Sequence, residues 1–518
     1  MTSPQVIRGD DQTAKTEESV LDGLANVEGP GWVDHSSDPI QGLFPLAVEQ
    51  FLNAAVAVNV PGVTTVTNTA RYYALHALIA DEAQRRRLDG GQARNLLRRT
   101  EIVYALICMS HQQSDGHDSW YPAAHGRDRI LSFLSSGQVD LDDAAGMGPG
   151  KYANAATGFL GPYFGSEVSL GWLADGPLSP GPAYDRPVVH RELGPVVDLA
   201  ATTSSLGLAD VADLGSMCLC RAATSDDGGL LAERFAGRPD EAGTVAGNIG
   251  QLMRLFATAM GSSEVRTERD LGAFVMFSPV VVDDPRSTEI WLRWRGIRTR
   301  AASVAAWREL FAHTCRYLNG GPLTVDQLGR LLAEDMPAGT LADFVAGLPP
   351  VVDAHGAPLP AELEIADRPS PERHLATLAL GAMRFRLLHD TSGPVRLGLA
   401  GPPGHRFESE ELSPQWVSNV LSDWGARPVA EFARWLASVM VNRAHRVTMS
   451  KSYWRPGRYV MPLRILLQDD LVVKMHGEAT GEPPLRWTQL LSMGRQTGIF
   501  SVSDAGVWEL GPRGYLLE

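Results

Sequence analysis

Two stretches of helical period, set one after the other between residues 69 and 111, constrain this chain more than any other feature. In the first, Tyr72, Leu75 and Ile79 recur at i, i+3 and i+7, marking one apolar face, while Arg71, Asp81, Glu82 and Arg85 to Arg87 lie largely off it. In the second, Leu96, Leu97, Val103, Tyr104, Ile107 and Cys108 are expected to face inward. Between them Asp89-Gly90-Gly91 is expected to stop the first helix, because glycine adopts the left-handed conformation that satisfies the last carbonyls. Upstream, Pro61-Gly62 signals a turn, and Asn68 or Thr69 can accept an orphan N–H at the helix start. The pair reads as an αα-hairpin. Arg85, Arg86, Arg87, Arg94, Arg98 and Arg99 are expected on its outer surface, either as a solvated face or as a local stripe that phosphates could meet.

A chain of 518 residues with 44% hydrophobic residues can bury several cores, three or four domains by length. Its net charge of −14 excludes wholesale coating of nucleic acid and leaves room only for a local basic patch. Cys108, Cys218, Cys220 and Cys315 contain no CxxC pair and no spacing that builds a structural zinc site, so they read as buried thiols in a reducing cytosol. The location expected is therefore cytoplasmic. The N-terminus carries Asp10, Asp11, Glu17 and Glu18 and no apolar run, unlike a signal peptide. Residues 50 to 70 are uncharged over a membrane's span, but their Pro, Gly, Asn and Thr content points to burial in protein instead.

The fold class expected is mainly α, a multi-domain helical protein with a C-terminal winged-helix-like α+β domain. The boundaries are a disordered arm over 1–39, an N-terminal helical domain over 40–175, a middle helical or mixed domain over 188–345, a helical connector over 372–430 and the winged-helix-like domain over 431–518. Residues 158 to 165 read as a turn-rich segment wrapping the first helices, and residues 176 to 187 as a linker. The apolar runs 273–277 and 289–294 fit strand or buried helix equally. In the last domain the expected order is a helix over 431–446, a short helix over 462–468 with Pro at its start, a strand over 471–474, a helix over 485–493 and a fold-back around Asp504-Ala505-Gly506.

Two clusters carry candidate chemistry. Arg443, Arg446, Lys451, Arg455, Arg458 and Arg464 make the segment positive within a negative chain, the pattern of a nucleic-acid contact; a winged-helix-like domain used for protein contacts fits the same residues. The second cluster is His111, Asp115, His117, Asp118, His125 and Asp128, with Trp120 and Tyr121 among them. Imidazole and carboxylate together suit a divalent metal or an acid–base pair, with His111, His117, Asp118 and His125 as the metal-ligand set, against the competing reading of an ordinary surface loop. Gly401-Pro402-Pro403-Gly404 lacks the Gly-Lys-Ser/Thr of a phosphate loop, and no G-x-S-x-G or H-E-x-x-H motif occurs.

The turn Pro61-Gly62-Val63-Thr64-Thr65, followed by Thr67 and Arg71-Tyr72-Tyr73 with the arginine-rich hairpin behind it, resembles the opening of uncharacterised prokaryotic proteins encoded beside helicases, nucleases or methyltransferases in antiphage defence loci. The resemblance implies context and no catalytic residue. The function expected is a non-catalytic accessory or scaffold subunit of a multi-protein antiviral defence system, contacting double-stranded DNA or a partner protein through its C-terminal basic domain, with no cofactor and no membrane. The alternative is a metal-dependent hydrolase or nuclease using the 111–128 loop.

Overall fold

The computed structural model describes residues 37–518 apart from 115, 135–136, 154, 177, 238–243, 280–284, 389–392, 456–457 and 479. The arm expected over 1–39 therefore falls almost wholly outside the described residues. Helix accounts for 59% and strand for 8%, so the mainly helical expectation holds. Among the described residues no helix is long and apolar enough to cross a membrane.

Arg71–Arg85 and Gly90–His111 form the expected helix pair, and Tyr72, Leu75 and Ile79 are fully buried. Several expectations at their ends need correction. The first helix closes at Arg87, which itself takes the left-handed conformation (φ 55°), and Asp89 caps the second helix in a capping box with Gln92. Neither Asn68 nor Thr69 caps the first; the backbone N–H of Thr69 donates to the Tyr163 hydroxyl (3.1 Å) and that of Ala70 to Gln496 Oε1 (2.8 Å). Residues 158–165 do not merely wrap the pair, because Leu160–Ser169 is a helix that turns Tyr163 and Glu167 inward. Of the six arginines expected on the outer surface, Arg85, Arg86, Arg87 and Arg94 are exposed, whereas Arg98 and Arg99 are buried and donate to the carbonyls of Ala145 and Ala200. Burial of the 50–70 stretch is partial, with Val58 and Val66 exposed.

Both ambiguous apolar runs are helical. Residues 273–277 end the helix Glu268–Phe277, and residues 289–294 lie within Pro285–Tyr317, a 33-residue helix that buries Trp291, Trp294, Ile297, Val304 and Trp307. One continuous core runs from Leu46 to Leu517, and the segment 176–187 does not divide it.

The last ninety residues enter three small sheets. Arg458–Leu463 pairs antiparallel with Tyr453–Arg455 and parallel with Ser37–Gln41, while Leu471–Lys474 lies between Ile465–Gln468 and Leu323–Thr324. Phe500–Val502 and Trp508–Leu510 make the expected fold-back. The short helix expected over 462–468 is strand instead. These strands do not form one wing, since two of the sheets are completed by residues far upstream, and the helix Val429–Lys451 packs on Val325–Glu334.

Candidate metal centre

The 111–128 loop begins where the Gly90–His111 helix ends, so His111 is held at a helix terminus with its ring largely buried. Opposite it runs a tight segment, Cys218-Leu219-Cys220, lying where one 3₁₀ turn (Ala209–Met217) hands over to another (Leu219–Arg221). The extended backbone at Cys218 (ψ 150°) breaks the helical run there. This brings Cys220 Sγ to 3.3 Å from His111 Nδ1 and Cys218 Sγ to 3.9 Å from His117 Nδ1. One ligand atom from each of the four residues lies within 4.8 Å of every other.

The backbone around His111 is shaped to admit its ring. A Cβ on Gly215 would lie 2.8 Å from His111 Cδ2, and one on Gly116 would lie 2.8 Å from the Arg221 guanidinium and 3.5 Å from His111 Nε2. Glycine at both positions leaves space that a side chain would fill. The cysteine segment is anchored from below by Arg71, which donates to the carbonyls of Cys218 (2.7 Å) and Ser216 (3.3 Å) while pairing with Asp227 through two bonds of 2.8 and 2.9 Å. Arg71 and Asp227 are both fully buried, so the reading of Arg71 as an off-face surface charge is corrected. From the other side Arg513 donates to the carbonyls of Ala222 and Ser225.

The electrostatics suit a cation. The hydrogen bond with Cys108, together with burial, pushes the Cys218 thiol up to about 12, and the Cys218 contact and burial push Cys220 up as well. Two thiolates this close repel unless a positive ion sits between them. Burial, with Arg221 and His117, pushes His111 below its ordinary value, leaving a neutral imidazole with a lone pair to give. In tetrahedral zinc coordination Zn–S is about 2.3 Å and Zn–N about 2.0–2.1 Å, which places neighbouring ligand atoms roughly 3.3–3.8 Å apart. The His111–Cys220 and His117–Cys218 distances already fall in or beside that range. Coordination through His111 Nδ1 leaves the proton on Nε2, so the 3.4 Å approach of Arg221 to Nε2 has to open.

Of the four ligands expected from sequence, His111 and His117 meet and the other two do not. Asp118 is exposed, accepts the Trp120 N–H and lies 3.9 Å from Arg495. His125 is stacked on Phe159 and bonded to the Tyr163 hydroxyl at 3.0 Å, and burial pushes it down to about 4. Asp115 is outside the described residues, and Asp128 sits in the first turn of Arg127–Phe133. Weighing the four cysteines only against one another does not single out Cys218 and Cys220. The sequence signal that points to them is the His-x5-His pair set beside the Cys-x-Cys pair. A second buried cluster, His76 between Glu167 (2.6 Å) and Glu101 (3.2 Å), is shut off from solvent on all three side chains, which suits a structural ion triad.

The expected nucleic-acid residues are mostly occupied. Arg443 is buried and bonded to Leu46 O, Glu410 and Glu411; Arg446 pairs with Glu411; Lys451 donates to the carbonyls of Leu43 and Phe44; and Arg464 is buried against Glu478. For these four the clustering reflects internal pairing with carboxylates distant in sequence and with backbone carbonyls, which a local charge count cannot see. Arg455 is exposed, and Arg458 stands opposite it in the strand register. No family model, no curated protein and no solved structure matches this chain.

Proposed function

We infer that the protein binds one zinc ion through His111, His117, Cys218 and Cys220, and that it works as a non-catalytic helical scaffold fastened by that ion. The observation that carries this reading is the convergence of two thiols and two imidazoles from segments about a hundred residues apart. Thiolate and imidazole together select zinc over magnesium or calcium, which take oxygen ligands. Four protein ligands fill a tetrahedral ion, whereas catalytic zinc keeps one position for water or substrate. That favours a structural role over the hydrolase or nuclease alternative, which also loses Asp118 and His125 from its ligand set. The accessory-subunit setting implied by the Pro61 to Tyr73 resemblance is compatible with a scaffold and is carried here as context.

Metal analysis of the untagged full-length chain tests the reading. One zinc per chain is expected, and it should be absent from the Cys218→Ser, Cys220→Ser double variant. Cobalt substitution should give the intense near-ultraviolet absorption of thiolate ligation in the wild type alone. Metal-free wild-type protein that stays metal-free on zinc addition, or full zinc occupancy in the double variant, would overturn it.

A further inference from the structure

The hairpin made by Tyr453–Arg455 and the start of Arg458–Leu463 stands at the edge of its sheet, and all three residues of its outer strand are exposed. Trp454 keeps 46% of its surface in solvent and Tyr453 39%. The Trp454 ring packs on Tyr459 across the strands at 4.8 Å between centroids, and the Arg455 guanidinium lies 5.4 Å from the Tyr453 ring centre. Three aromatic residues and two arginines thus fall within the seven residues 453–459 of the sequence. Arg455 pairs with no carboxylate among the described residues. Two residues before the strand, Lys451 donates to the carbonyls of Leu43 and Phe44, whose side chains are exposed.

A solvent-facing Trp with a neighbouring free guanidinium is the chemistry that holds an unpaired base: the base stacks on the ring, and the cation meets the adjoining phosphate. Duplex recognition needs a row of phosphate contacts, and four of the six cations that could have formed one are already taken. We propose that the strand Tyr453–Arg455, with Tyr459 across from it, is a contact site for single-stranded nucleic acid, with Trp454 as its stacking platform and Arg455 at the phosphate. The site is independent of the zinc reading and lies on a different part of the chain.

The test is a titration of the full-length chain against a labelled oligothymidylate and a blunt duplex of equal length, at low and moderate salt, with a soluble polyglutamate as competitor. Oligothymidylate is expected to bind with quenching of tryptophan fluorescence, and the duplex more weakly. Trp454→Ala should weaken binding roughly tenfold, as loss of one stacked base does. Arg455→Gln should lower the slope of log affinity against log salt by about 0.7, one single-strand phosphate. Both side chains are exposed, so circular dichroism of the variants should match the wild type. No binding of oligothymidylate at low salt, unchanged affinity in Trp454→Ala, or equal duplex affinity would overturn the proposal. Competition by polyglutamate as effective as unlabelled oligothymidylate would overturn it in favour of an acidic protein partner.

Discussion

Replacing Arg71 by Met removes a cation from a place with no solvent to take over its work. Asp227 is 0% exposed and its two oxygens accept from Arg71 at 2.8 and 2.9 Å, so the substitution strands a buried carboxylate. Breaking such a pair from one side costs about 3–5 kcal/mol. The Cys218 and Ser216 carbonyls lose a donor as well, each loss worth about 1 kcal/mol. Against this, Asp227 sits in the first turn of Asp226–Ala236, where the helix dipole returns up to ~1–2 kcal/mol. The net expectation is about 3–6 kcal/mol. Urea denaturation of the full chain, followed by circular dichroism, reads it as a lowered midpoint. The double variant Arg71→Met, Asp227→Leu should regain part of the loss, since no unpaired charge remains. A shift worth less than about 1 kcal/mol, or a double variant no better than Arg71→Met alone, would refute the reasoning, because either result means that the pair is hydrated or that its burial carries no penalty.

Leu75→Ala should destabilise by ~2–5 kcal/mol, since Leu75 on the helix Arg71–Arg85 is fully buried; an unchanged melting temperature would remove it from the core. His76 titrates against its two carboxylates: burial alone would lower it, but Glu167 and Glu101 outweigh burial and hold it up at about 9, against an ordinary value of 6.5. A raised folded value means that the stabilisation is complete below 6.5 and is lost as pH rises through about 9. Thermal midpoints of the wild type should therefore fall over that window, and His76→Gln should flatten the fall; equal slopes in the two proteins would show that His76 does not gain a proton on folding.

The parts legible in the sequence are those whose cause is local. Tyr72, Leu75 and Ile79 are spaced for one face and are all buried, because periodicity already encodes which side meets protein. Arg71 breaks that logic, since its partner Asp227 lies 156 residues away and converts a surface-type residue into a core one. Pro462 is ambiguous in another way: proline is permitted at a helix start, and nothing nearby announces that Ser37–Gln41 pairs with this segment. The outer strand Tyr453–Arg455 reaches only as far as Val460, so at Pro462 one side of the strand has no neighbour and the missing N–H costs nothing there. At the candidate site composition points to two imidazoles that do converge and to Asp118 and His125 that do not, because local richness in ligand types does not say which way each points. The neighbours that claim His125, Tyr163 and Phe159, come from a helix and a turn more than thirty residues on.

The cysteine segment occupies a place where distant parts of the chain meet. Arg71 holds its carbonyls from the first long helix, Arg513 holds its exit from the C-terminus, and Gln496 completes the start of that same first helix. His117 and Cys218 stand 101 residues apart in sequence, so an ion joining them closes a long loop in the unfolded chain. By analogy with a covalent cross-link of that span the closure removes unfolded-state entropy worth on the order of 4 kcal/mol, less whatever the ligands spend on moving inward. Arg71 already fixes the Cys218 carbonyl and Arg513 the residues just beyond the thiols, so the rearrangement an ion would ask for falls on the four ligand side chains and on Arg221. An ion bound there acts mainly on the unfolded state and on local opening of the 111–117 loop. The continuous core holds the fold together without the ion, and on the zinc reading proposed above the metal would set how rarely this one edge of it comes apart.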